Sequence, residues 1–327
     1  MSTSHVLNPA PGTVHWGYFD AALAPVLEVN PGDIVVVNSV SGSSEETPDD
    51  AAFTVRPALR AIHAAIGREL GPHILTGPIA VRGAEPGDAL RIEILDVALA
   101  DDWGFNVIRR GKGALPEDFA FDSTIHLSID RQTGVIRAPW GMEIPARPFF
   151  GVMGTAPAPD AGRLTSVIPG AFGGNLDNTE LTTGAILYLP VAVEGGRLSV
   201  GDGHAAQGDG EVCLTAVETG LMGTLRIGLV KAANLAGPFA ETPAHLIAMA
   251  FDEDLDEALR GALRNLIAMV SARTGLSAEN AYRLCSLAAD MRVTQVVNVK
   301  KGVHAMLPRR YLIPAARAGN RGVWNQS

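Results

Sequence analysis

The densest concentration of chemistry in the chain is residues 201–211, GDGHAAQGDGE. Asp202, His204, Gln207, Asp209 and Glu211 are interleaved there with four glycines. Glycine lets a backbone turn sharply or approach a ligand closely. In an extended segment Asp202 and His204 share a face, and so do Asp209 and Glu211. An imidazole beside carboxylates suits zinc or another first-row divalent metal. A single Asp-Gly would be no more than an Asx turn; the whole run points to a site. A second cluster, PGAFGGNLD at 169–177, sets Asn175 two residues before Asp177. Asn and Asp are ordinary turn residues, so this cluster carries less weight alone. No convincing helix follows its glycines, which argues against a phosphate cradle.

The patterns G-x-S-x-G, S-x-x-K, H-E-x-x-H, the P-loop and G-x-G-x-x-G are all missing. Their absence removes the commonest serine hydrolase, β-lactamase, zincin and nucleotide-binding signatures. Cys213 falls in an expected strand at 211–217 with no adjacent base, which favours packing over nucleophilic work. His5, His126 and His245 read as structural or surface residues, and His63 as one face of a short helix.

The elements that must position these side chains read mostly as strands. NPGD at 30–33 and EPGD at 85–88 are turns, each launching a strand, at 34–37 and 89–97. Residues 186–193 form another, and Pro190 implies an edge or a bulge. EGGR at 194–197 resembles a hairpin turn into a strand at 198–200. Near residue 240 the pattern changes. Leu255, Leu259, Ala262, Leu263, Leu266, Ile267 and Val270 mark an amphipathic helix with Asp254 as N-cap and Gly275 as its stop. Ser277 begins a second helix with Tyr282, Leu284, Leu287 and Ala288 as apolar positions, and 293–299 reads as a closing strand. The basic tail after Pro308 reads as partly loose.

These elements predict a β-rich α+β protein. Its N-terminal two thirds are sandwich- or barrel-like, with an α+β C-terminal part. The expected division is a β-rich catalytic part at 1–235 and an α+β part at 236–327, packed together. Gly 36 and Pro 21, against 6% aromatics, fit many short strands joined by tight turns. A net charge of −9 excludes the basic footprint of a nucleic-acid binder. No apolar run approaches the length of a membrane helix and no secretory signal is recognisable, so a cytoplasmic location is expected. Cys213 and Cys285 are too few for a disulfide framework.

GGNLD at 173–177 together with GDGHAAQGDGE at 201–211 and TAVE at 215–218 closely resembles the acetamidase/formamidase family of amide hydrolases. Further similarity lies in HWG at 15–17, PGD at 31–33, LTGP at 75–78, GAEPGD at 83–88, GVMGTAP at 151–157 and LYLPV at 187–191. TQVVN at 294–298 and KGVHA at 301–305 extend it, so that it covers about 13–310. The resemblance implies hydrolysis of a small carboxamide to carboxylate and ammonia, at a carbon–nitrogen bond other than a peptide bond. It also implies zinc, a homo-oligomer, and some members that open γ-lactams. The segment 39–50 departs from the longer formamidases and leaves substrate identity open. Non-catalytic binding of a metal or small ligand by a β protein is the reading from another class.

Amide chemistry without an obvious nucleophile suits a metal-activated water and a carboxylate that relays the proton. His204 and Asp202 are the expected metal ligands, with Asp177 and His73 as further candidates. Glu211 is the expected general base and acid, and Asn175 or Gln207 is available to orient the amide or its oxyanion. Glu218 is a secondary catalytic candidate. Seven residues separate it from Glu211, an odd number, so a regular strand places the two on opposite faces.

Overall fold

In strand Asp33–Asn38 every second side chain is fully buried, the alternation that a sheet with one face in the core imposes. The computed structural model describes residues 2–49 and 51–314, and most of the basic tail, 315–327, lies outside them. Two large sheets dominate, one of nine strands and one of eleven. The nine-stranded sheet runs Ser4–Leu7, Asp33–Asn38, Leu221–Val230, Ala89–Leu99, Ile186–Pro190, Phe239–Glu241, His245–Asp252, Lys301–Pro308, Asp290–Gln295. The centre of the other is Leu198–His204, paired with Phe149–Gly154, Ile74–Val81 and Glu218–Thr219. One apolar core joins the two sheets. Val35, Ile92, Leu187 and Ile227 of the first meet Ile79, Phe150, Met153 and Val200 of the second.

The C-terminal helices close the outer face of the nine-stranded sheet. Leu246, Ala248, Val303, Ala305 and Leu307 pack against them, while Ile247, Met249 and Met306 turn to the inter-sheet core. Burial on both faces explains why this stretch reads as a continuous apolar run. Helix Leu255–Thr274 is capped by Asp254, whose side chain accepts from Asp256 N and Glu257 N, and it stops at left-handed Gly275. Its buried stripe is Ala258, Ala262, Leu266, Val270 and Thr274, whereas Leu259 is exposed. Helix Ala278–Ala288 begins after Ser277 as expected, but it buries Ala281 and Cys285 and leaves Tyr282 and Leu287 outside. That i, i+4 pair faces the same core cluster as Ala262, Leu266 and Val270.

The two PGD turns are built alike. Asp33 Oδ2 accepts from Asn30 N at 2.9 Å, and Asp88 Oδ2 from Glu85 N at 2.8 Å. Several expectations are corrected. EGGR at 194–197 is no hairpin: it carries the chain from one sheet to the other. Pro190 sits on an internal strand, beyond the point where the neighbouring Phe239–Glu241 pairs, so its missing N–H costs no ladder bond on that side. The final strands are Asp290–Gln295 and Lys301–Pro308, and 296–300 is a loop. Residues 211–217 are a turn-rich loop rather than a strand. The nine-stranded sheet runs unbroken across residue 235, because Phe239–Glu241 pairs with Ile186–Pro190.

Candidate active site

Strand Leu198–His204 brings Asp202 to a cavity of about 610 Å³ lined also by Asn175, Asp177, Glu211 and Glu218, and buries His204 against these carboxyl groups. Its glycines are there for close approach to neighbouring strands. A Cβ on Gly201 would lie 2.3 Å from Ile74 O, and one on Gly203 would lie 2.4 Å from Thr219 O. Opposite, on Phe149–Gly154, Gly151 leaves room for the site itself. A Cβ there would lie 2.6 Å from Asp202 Oδ2, 2.6 Å from His204 Cε1 and 2.7 Å from Asp177 Oδ1. Strand Gly173–Asn175 pairs with the same strand and ends as the chain turns through Asp177. Glu218 opens Glu218–Thr219 directly beside His204.

His204 is fully buried and central. Its Nε2 lies 3.2 Å from Asp202 Oδ2, 3.2 Å from Glu218 Oε1 and 4.0 Å from Asp177 Oδ1. Its Nδ1 is 2.8 Å from Gln207 Oε1, and Gln207 Nε2 donates to Asp177 O at 2.9 Å. That second bond fixes the Gln207 amide, so Oε1 accepts the Nδ1 proton and Nε2 faces the carboxylates. Gln207 therefore stands behind the imidazole, outside the cavity lining. His73 Nε2 is 3.6 Å from Asp202 Oδ2, and its Nδ1 is 2.8 Å from Ser166 Oγ.

Four buried carboxyl groups around one imidazole cannot all ionise without a counter-charge. Burial, with the Asp202 charge added, pushes Asp177 up to about 7. Burial and Asp202 push Glu218 up to about 8. Burial, with Asp177 next, drives Glu211 well above the carboxylate range. Burial would raise Asp202 too, but the charges of His73 and His204 outweigh it and hold it low. Burial opposes protonation of His204, yet Glu218 and Asp202 outweigh it and raise that group. Burial lowers His73.

The donor set fits a divalent metal. Asp177, His204 and Glu211 offer ligand atoms within 4.8 Å of one another, as do Asp202, His204 and Glu218. Among the described residues Asp177 Oδ1 is buried with no hydrogen-bond partner. Asp177, Asp202 and Glu211 all hold positive φ, at 46°, 57° and 45°. Left-handed backbone on a non-glycine residue is strained and collects at functional sites.

The structure gathers Glu211, Glu218, Asn175, Asp177, Asp202, His204 and His73 in one place. The parity argument against pairing Glu211 with Glu218 fails, because the intervening loop lets both point inward. Asp209 does not share a face with Glu211. It turns outward to Arg292 Nε at 2.6 Å and Thr179 Oγ1 at 3.0 Å. Sequence reasoning missed Asn298, which donates to Asp177 Oδ2, and Gly151. It also missed Ser41, Gly42 and Glu46 on the cavity wall. TQVVN at 294–298 and the polar segment 39–50 were the available signals. Asn175 donates Nδ2 to Val167 O at 3.2 Å, while its buried Oδ1 has no partner among the described residues.

Comparisons with known proteins point to one family. The family model described as the acetamidase/formamidase family matches residues 13–166 and 160–310. A formamidase of Methylophilus methylotrophus is 30% identical over 211 residues, 49% of this chain and 52% of that protein. The chain thus spans about half the length of the curated relatives it matches. An acetamidase crystal structure from Bacillus halodurans superposes with a TM-score of 0.81 at 31% identity, covering 94% of this chain and 98% of that one. A gamma lactamase from Delftia acidovorans shares the fold alone, with a TM-score of 0.62 at 22% identity over 96% of this chain and 95% of that one.

Proposed function

The chain belongs to the acetamidase/formamidase family, and from that premise we propose that it hydrolyses small primary carboxamides to a carboxylate and ammonia. The observation that carries the reading is the ring of buried carboxyl groups around His204, with proton-holding Glu211 at its edge. His204, Asp202 and Asp177, with His73 behind Asp202, would hold a divalent cation, and we take zinc as that ion. When bound, such a cation supplies Lewis acidity, which eases deprotonation of water and polarises a carbonyl.

The chain's own residues do the rest. Asn175 Oδ1, an acceptor in the cavity without a partner among the described residues, takes an N–H of the substrate amide and sets its orientation. Once a cation's charge offsets its neighbours, Glu211 ionises and accepts the proton of the attacking water as the water oxygen adds to the carbonyl carbon. It then returns that proton to the departing nitrogen, and the C–N bond breaks as the carbonyl re-forms. Glu218, held by Ala216 N at 3.0 Å, keeps the imidazole of His204 in place. The reading includes a homo-oligomer, which rests on the family resemblance, and a cytoplasmic location. Among the described residues no helix is long and apolar enough to cross a membrane.

The cavity volume also favours a second reading, the opening of small cyclic amides. The test is ammonia release from formamide, acetamide and propionamide, with a ring-opening assay for a γ-lactam. Each is run on protein as purified, after chelation, and after zinc is restored. Activity lost on chelation and regained with zinc is the expected result. Robust turnover in metal-free protein would sink the metal-assisted reading. No turnover in any state would leave a binding protein.

A further inference from the structure

The cavity is much larger than the smallest amides require. At about 30 Å³ per water its volume has room for on the order of twenty waters, whereas acetamide has the bulk of two or three. Its wall is also chemically graded. Asp177, Asp202, Glu211 and Glu218 are buried, an apolar belt includes Phe105 and Leu214, and four cations, Arg68, Arg109, Arg110 and Lys112, line the exposed side. Arg109 is committed, donating to Glu46 Oε1 at 2.7 Å. Among the described residues no side-chain ion pair or hydrogen bond engages Arg68, Arg110 or Lys112. Asp122 lies among them and accepts from the Arg110 backbone N at 3.0 Å, and its single charge leaves the three cations in excess.

Three uncommitted cations at one opening are unusual on a chain of net charge −9. They repel one another, and a bound anion relieves that repulsion. Guanidinium groups match a carboxylate geometrically, through paired N–H donors. We propose that the outer cavity binds an anionic group, so that the preferred substrates are primary amides bearing a carboxylate a few methylenes away. This inference rests on the amidase reading for its chemistry. The amide end lies against Asn175 and Glu211, the methylenes cross the apolar belt, and the carboxylate meets Arg68, Arg110 and Lys112. Water adds to the amide carbon, ammonia leaves, and a dicarboxylate results.

The experiment compares kcat/KM for succinamate with that for 4-oxopentanamide, its neutral counterpart of similar shape. Both are measured at about 20 mM and about 500 mM salt, which screens exposed charges. The expected result is a preference for succinamate of roughly tenfold at low salt, which shrinks at high salt and collapses in R68A/R110A/K112A. Equal losses on both substrates, or no preference in the parent, would overturn the proposal. Calorimetric binding of succinate separates this inference from the amidase reading. If no amide is turned over but succinate binds and the triple variant loses that binding, the anion site stands alone. If succinate does not bind, the anion site falls even where acetamide is hydrolysed.

Discussion

The side-chain amide of Asn298 donates to Asp177 Oδ2 across 121 residues of sequence. It thereby ties the loop before the last strand to the turn after Gly173–Asn175. A backbone bridge between Gly210 and Gln295 ties the same C-terminal segment to the loop that carries Glu211, with Gly210 N donating to Thr294 O at 3.0 Å and Val296 N to Gly210 O at 3.1 Å. The C-terminal part is therefore a wall of the site. Replacing Asn298 with Ala frees one buried oxygen of Asp177 and removes what orients the other. Losing a hydrogen bond that orients a metal-holding carboxylate lowers metal affinity about 10- to 100-fold, and an unsatisfied buried acceptor costs about 1–3 kcal/mol of stability. Zinc competition against a chromogenic chelator reads the first effect and denaturant unfolding the second. Parent-like zinc affinity in Asn298→Ala would show that this hydrogen bond does not position Asp177.

Gly151 offers a sharper test because only one methyl is added. Its backbone lies in strand Phe149–Gly154 and is not left-handed, so alanine suits the local conformation. The new methyl would enter the space bounded by Asp177 Oδ1, Asp202 Oδ2 and His204 Cε1. Gly151→Ala is expected to fold with parent-like circular dichroism, to hold little metal, and to lose nearly all amide turnover. Full zinc loading in this variant would place the ion elsewhere.

Much of this site is legible in the sequence because Asn175, Asp177, Asp202, His204 and Glu211 cluster in two short runs, 173–177 and 201–211. Period-2 burial and turn chemistry also reveal Asp33–Asn38 and Ala89–Leu99, and capping residues mark both C-terminal helices. What escapes is non-local. Glu211 and Glu218 converge only because 211–217 loops, and alternation along a strand cannot register that. Asn298 and Gly151 act on Asp177 from distant parts of the chain, and Gly151 does so through space it leaves empty. Which strands share a sheet escapes as well. EGGR at 194–197 has the composition of a hairpin turn, yet it bridges two layers.

His15 gives stability a defined pH dependence away from the site. It is buried, with Nε2 2.9 Å from Ser199 Oγ, and burial lowers its pKa from 6.5 to about 4. Below pH 6.5 the unfolded imidazole takes a proton that the folded one refuses until about pH 4. The unfolded chain binds more protons in that window, so stability falls as pH falls. A shift of this size corresponds to about 3 kcal/mol. Urea unfolding at steps between pH 7 and pH 4 is expected to show the decline, and His15→Gln to flatten it. An unchanged slope in His15→Gln would assign the decline to other groups.

The assignment of Glu211 as proton carrier separates it from the other carboxylates. Its carboxyl is buried, and its pKa is raised by that burial and by Asp177, so it holds a proton more readily than Asp202 does. A group that shuttles protons need not bind the metal tightly, whereas Asp202 sits against both His204 and His73. Glu211→Gln keeps the shape and removes the proton exchange. Turnover is expected to fall about 10²- to 10⁴-fold while bound zinc stays near the parent level. Asp202→Asn is expected to lose zinc and activity together. If Glu211→Gln also loses its zinc, Glu211 is a ligand through the group it forms with Asp177 and His204, and the proton carrier is then Glu218, the remaining carboxyl with a raised pKa on this imidazole.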